Sequence, residues 1–165
     1  MAAGADHGLV LCGYHALNSL RVEKGYRSWG HDISSGDSPL DAGLGFTVTW
    51  DKPGGFLGRE ALVAQRETGV QRRLVQFALE DPEPLLLHGE PILRDGVCVG
   101  HLTSAAYGHT IGASVGMGYV TAPDATVGRT WFEQGRYELE VAGVRCSARA
   151  SLRPLYDPAS LRIKA

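Results

Sequence analysis

The sequence has only three cysteines, Cys12, Cys98 and Cys146, with no C-x-x-C pair among them. An odd, scattered set argues against a disulfide framework or a cysteine zinc site, and for a reducing compartment. Basic residues are not in excess either. The formal charge is −2, and Arg72 and Arg73 form the one adjacent Lys/Arg pair. Sequence-independent binding of nucleic acid depends on a basic face that neutralises phosphates, so nucleic acid is not an expected partner. No apolar run approaches the length of a bilayer span, and no basic-then-apolar leader opens the chain, so no membrane association is expected. Cytoplasm is the default compartment. A leader removed on import would leave no trace, which keeps the mitochondrial matrix open for a eukaryotic source.

Catalytic signatures are also scarce. His31, His88, His101 and His109 lie apart without metal-ligand spacing, which argues against a metal site. No G-x-S-x-G elbow accompanies the serines, and this removes a Ser-His-Asp reading. The stretch GASVGMG at Gly112 to Gly118 lacks the lysine of a phosphate loop and leads into a strand, so its glycines are read as strand bends.

What the sequence does have is glycine, 22 residues, many lying between short β-branched and aromatic runs. The hydrophobic fraction of 44% and charged fraction of 21% are ordinary for a globular chain. A length of 165 residues suits one domain, or one small domain with part of a neighbour. Leu9, Cys12, Ala16, Leu17 and Leu20 recur at three- and four-residue steps, predicting a one-sided helix from about Leu11 to Lys24 that Gly25 terminates. The polar stretch from Tyr26 to Pro39 reads as a loop. LGFTVTW at Leu44 to Trp50 reads as a strand, and REALVAQRE at Arg59 to Glu67 as a short helix. A boundary is expected around Thr68 to Gln71.

Beyond that boundary the period becomes two. Arg73 to Glu80 reads as a half-buried strand; Pro91 to Arg94 and Val97 to Ser104 form a hairpin about Asp95-Gly96. Val115 to Val120 is another strand, and Tyr137 to Val141 with Val144 to Ala150 make a last hairpin. About six short strands suit a small closed barrel or a sandwich.

Ionisable and aromatic residues concentrate between Ser19 and Asp32. Arg21 and Glu23 stand two apart, on different helix faces, so they are not expected to pair with each other. Arg21, Glu23 and Asp32 either carry function or pair with neighbours to fix the loop. Trp29 is either core or an aromatic wall for a flat heterocycle. Tyr156 would be a packed tail residue on chemistry alone.

Five ordered blocks say more: SLRVEKGYRSWGHDI at Ser19 to Ile33, DSPLDAGLGFTV at Asp37 to Val48, GFLGREAL at Gly55 to Leu62, HGEPILRDGVCVGHLTS at His88 to Ser104, and VGMGYV at Val115 to Val120. Together they resemble the C-terminal part of the glycine cleavage T protein (aminomethyltransferase) family. EKGY followed by WG-x-D is most similar to its folate-dependent relatives, the C-terminal regions of dimethylglycine and sarcosine dehydrogenases. The resemblance implies an α+β, mainly β chain: a partial helix/strand subdomain, the remnant of the folate-binding domain, over residues 1–70, and a six-stranded antiparallel β-barrel over residues 71–165.

For function it implies transfer of a one-carbon unit from an amine of the glycine, sarcosine or dimethylglycine type to tetrahydrofolate. The alternative is a non-catalytic barrel with a structural or docking role. Carried over by position, Tyr156, Trp29 and Glu23 are the candidate folate-binding residues, with no catalytic residue assigned. Leu17 stands where T proteins carry an arginine, which puts a basic folate contact in doubt. The family's catalytic aspartate and its G-Y-T-G-E-type segment are not found in these 165 residues, so a missing N-terminal region or a partner chain is expected to complete the site. FAD, where it belongs to the native gene, would sit in a separate domain. Loss of the packing partner of residues 11–24 and 44–50 is expected to expose apolar surface and to drive homodimerisation or aggregation.

Overall fold

The period-two region closes into a barrel. In the computed structural model, which describes residues 2–164, β1 (Arg72–Leu79), β2 (Pro91–Arg94), β3 (Val97–Gly108), β4 (Ala113–Thr121), β5 (Tyr137–Val141) and β6 (Val144–Ser151) pair antiparallel. Their order round the closed barrel is β1-β4-β3-β2-β5-β6. The two short hairpins turn where the composition places them. Asp95 and Gly96 have φ of 52° and 82°, Ala142 and Gly143 49° and 80°, the paired left-handed geometry that matches strand twist. Ala142 holds that conformation without the freedom of glycine.

Strand β1 is buried along six consecutive residues rather than on one face. Val75, Phe77 and Leu79 point into the barrel core with Ile92, Leu102, Val120 and Leu139. Leu74 and Ala78 pack outward with Val115, Met117 and Tyr119 against Val22. The outer face expected to meet solvent is covered by the N-terminal part of the chain.

Glycines in β4 permit close strand approach. At a bulge between Leu102 and Ser104, β3 crosses Gly116 and Gly118. A methyl group on Gly118 would meet the His101 carbonyl oxygen and would lie 2.8 Å from Ile92 Cδ1. Gly118→Ala is therefore expected to lower stability by about 1–3 kcal/mol through overpacking. Urea denaturation reads this directly, and an unchanged midpoint would show that the strands separate freely there.

Before the barrel lie α1 (Tyr14–Glu23) and α2 (Arg59–Thr68), the latter bracketed by Gly58 and Gly69 at φ of 81° and 80°. A short α3 (Arg129–Glu133), absent from the sequence reading, sits between β4 and β5. Residues 44–50 are not a strand. Gly45–Thr47 make one turn of 3-10 helix, with the Thr47 amide donating to Leu44 O and the Val48 amide to Gly45 O. A strand needs a neighbour for its backbone, and the closed barrel offers this segment no free edge, so its amides close locally.

Helix α1 also departs from expectation, in orientation more than in length. Leu9, Cys12, Ala16, Leu17 and Leu20, the periodic apolar set, are all exposed. The buried positions are Ser19, Val22 and Glu23. The helix docks through polar groups: Ser19 Oγ donates to Tyr107 O at 2.6 Å and Asn18 Nδ2 to Ala105 O at 3.4 Å. No helix among the described residues is long and apolar enough to cross a membrane.

Candidate functional site

The SLRVEKGYRSWGHDI segment folds into a rim over one side of the barrel, and its charged residues explain its shape. Gly25, at φ 68°, ends α1, and the Tyr26 amide donates back to Arg21 O at 2.8 Å. Arg21 Nη1 lies 2.9 Å from Asp32 Oδ2, and Arg21 Nη2 donates to Ser104 Oγ at 2.9 Å. Asp32 also accepts from the Ser28 amide at 2.8 Å and from the Thr103 hydroxyl. Its side chain is wholly buried, that of Arg21 mostly so. A buried carboxylate is tolerated because a guanidinium and further donors meet its oxygens. This pair ties the loop to β3, so the loop-fixing alternative holds for Arg21 and Asp32.

Glu23 is directed inward as well. It is 1% exposed, and its Oε1 accepts from the amides of Thr110 and Ile111 at 2.7 and 3.0 Å, holding the β3–β4 connection against the helix end. As expected, Arg21 and Glu23 serve different faces.

The C-terminal tail joins the rim through the backbone. The Tyr156 amide donates to Glu23 O at 3.2 Å. Buried Gln76 on β1 donates to Val22 O and Glu23 O and accepts from the Leu155 amide at 2.8 Å. Lys24 Nζ meets Asp157 Oδ2 at 3.1 Å and Ser160 Oγ at 3.2 Å. The fold thus brings Glu23 and Tyr156 together across the whole length of the chain. Trp29 stands apart, 70% exposed on the loop that the Arg21–Asp32 pair fixes. It is not core. A neighbouring cleft of about 550 Å3 is bordered by Lys24, Tyr26, Arg27, Phe46 and Arg153, without Glu23, Trp29 or Tyr156 on its walls.

Gln76, Lys24 and Asp157 were not singled out from the sequence. Gln76 left a signal, a polar residue inside an otherwise apolar run. Lys24 and Asp157 left none, since only folding brings them together. Among the described residues no cluster of His, Cys, Asp and Glu has metal-binding geometry.

Comparison with known proteins places this architecture. Residues 72–157 match the glycine cleavage T-protein C-terminal barrel domain, and residues 1–52 match the GCVT N-terminal domain. The chain is 47% identical over 162 residues to 4-methylaminobutanoate oxidase (formaldehyde-forming) of Paenarthrobacter nicotinovorans, an alignment covering 98% of this chain and 19% of that protein. It is 46% identical to the mitochondrial sarcosine dehydrogenase of Homo sapiens over 99% of this chain and 18% of that protein. The chain therefore spans less than a fifth of the length of these relatives. The glycine cleavage system aminomethyltransferase T of Bartonella henselae shares the fold at a TM-score of 0.71 and 24% identity, over 87% of this chain and 38% of that one. With a barrel-domain match over residues 72–157 of 165 and an N-terminal-domain match before it, the chain belongs to the glycine cleavage T-protein family.

Proposed function

We propose that the chain forms one wall of a tetrahydrofolate-dependent module that moves a one-carbon unit from a glycine-, sarcosine- or dimethylglycine-type amine to tetrahydrofolate. The observation that carries this reading is Trp29, an exposed flat aromatic on a loop that the buried Arg21–Asp32 pair ties to β3. Such a face suits stacking on a pterin. Tyr156 is the second candidate contact. Glu23, the third candidate, holds the Tyr156 amide through its carbonyl and the β3–β4 connection through its carboxylate. In this reading the folate-domain remnant runs over residues 1–70 and the barrel domain over residues 71–165.

In this reading the rest of the site comes from the longer polypeptide or from a partner chain, and any flavin belongs to a separate domain. Reactivity then rests on enclosing and positioning amine and folate together, which one wall alone does not achieve. Calorimetric titration with folinic acid tests it. The 165-residue chain alone should show no binding, and the native polypeptide that contains it should bind. There, Trp29→Ala should cost about 0.5–1.5 kcal/mol of affinity, the worth of an aromatic stack. Absence of binding in both forms would leave the alternative, a barrel with a structural or docking role.

A further inference from the structure

A second cleft, of about 410 Å3, opens between α2, the loop through Gly43 and Phe46, and the segment leading into α3. Two arginines, Arg66 and Arg73, border it, and no acidic residue does. Arg66 lies over the Trp50 ring, 4.7 Å from its centroid. Arg73 is in a different position. It rises from the start of β1, half-buried, and its Nε is sealed from solvent without a hydrogen-bond partner. Among the described residues no carboxylate lies within ion-pair distance of either arginine.

A guanidinium does not escape this situation by losing its proton. Its buried Nε–H lacks an acceptor, which is costly, and no carboxylate offsets the charge of its open end, so an anion in the cleft would be favoured. The charge around it is more positive still. Arg27 approaches the cleft at Gly43, where its Nη2 would lie 2.9 Å from an added Cβ. Arg27 donates to the backbone carbonyls of Ala42 and Gly25 at 3.0 and 2.6 Å, which carry no net charge. Burial lowers the pKa of both Arg27 and Arg73, and the Arg73 charge lowers that of Arg27 further, against the opposing effect of Asp32.

The remaining walls combine the polar side chains of Gln65 and Thr126 with apolar ones, Phe46, Val70 and Val127 among them. A fully hydrated inorganic ion would leave those walls unused, whereas an anion with an apolar body would cover them. We propose that this cleft binds a small organic carboxylate, its charged end on the Arg73 guanidinium and its apolar body against Phe46, Val70 and Val127. Trp29 does not border this cleft, and the proposal does not depend on the folate reading.

Sodium benzoate titrated into the 15N-labelled chain at constant ionic strength tests the site. Saturable shifts are expected at the amides of Gly43, Gly69 and Gly128 and at the Arg73 Nε–H signal, with a Kd of roughly millimolar order. Arg73→Gln should weaken binding by about tenfold or more, the worth of a charge-assisted hydrogen bond. If that variant folds poorly, Arg73→Lys, which keeps the charge and loses the planar fork, should weaken it by a similar factor. Inorganic phosphate should bind more weakly than benzoate. Absence of saturable shifts at those signals, an affinity unchanged in the folded variant, or phosphate binding as tightly as benzoate would each overturn the proposal.

Discussion

Replacing Leu17 and Leu20 together by glutamate is expected to turn a self-associating chain into a monomer without loss of folded stability. Both side chains are more than half exposed, at 54% and 57%, and Tyr14 beside them is exposed at 78%. Leu9, Val10 and Leu11, just upstream, are exposed at 56%, 80% and 78%. Fully burying one such side chain is worth about 1.5–3 kcal/mol. At 54–80% exposure these residues would recover about two-thirds of that, so six of them offer roughly 6–12 kcal/mol. Association costs on the order of 4–15 kcal/mol in lost freedom. The balance predicts weak self-association, visible by light scattering at high protein concentration and absent when dilute. Charge on the stripe removes the gain and adds repulsion, while the buried face of α1, which holds Ser19, Val22 and Glu23, is untouched. A wild-type chain that stays a monodisperse monomer at high concentration would contradict this. In the native polypeptide, where the stripe is expected to be covered, the same double substitution should destabilise instead.

The second large effect is expected at Asp32. Asp32→Ala leaves Arg21 partly buried without its counter-charge and removes the acceptor for the Ser28 amide and the Thr103 hydroxyl. Removing one member of a buried pair costs about 3–5 kcal/mol, a large share of the roughly 5–15 kcal/mol that holds a domain folded. Urea denaturation should show it as a lower midpoint with little change in slope. Replacing Arg21 and Asp32 together by leucine should cost less than the sum of the single losses, because no uncompensated charge then remains. A loss below about 1 kcal/mol for Asp32→Ala would mean that water reaches the pair and screens it.

Much of the barrel was legible because its elements are local. Asp95-Gly96 turns its hairpin by backbone preference, Gly143 favours the last one, and the alternation in Tyr137–Val141 needs no distant information. Gly118 was read as a strand bend, and its neighbours His101 and Ile92 supply the reason. The errors fall where a residue's environment is made by something remote in sequence. Residues 44–50 have strand composition but no strand beside them. Leu9, Leu17 and Leu20 have helical period, and period says that they share a face without saying what that face meets.

The same division runs through the candidate site. Trp29 and Tyr156 were reached through the ordered motifs, but their settings were not. Trp29 is exposed on a loop that Arg21 and Asp32 tie to β3, and Tyr156 is placed by Gln76, Lys24 and Asp157, which draw the tail onto the end of α1. By itself the sequence determined the six barrel strands, the tight turns and the family, since these depend on short-range backbone preferences and on ordered residue patterns. The tertiary structure alone decided that the polar face of α1 turns inward and the apolar face outward, that Glu23 is buried, and that Arg73 is left without a counter-charge. Burial and pairing depend on which distant groups arrive at the same place, and only the closed barrel brings them there.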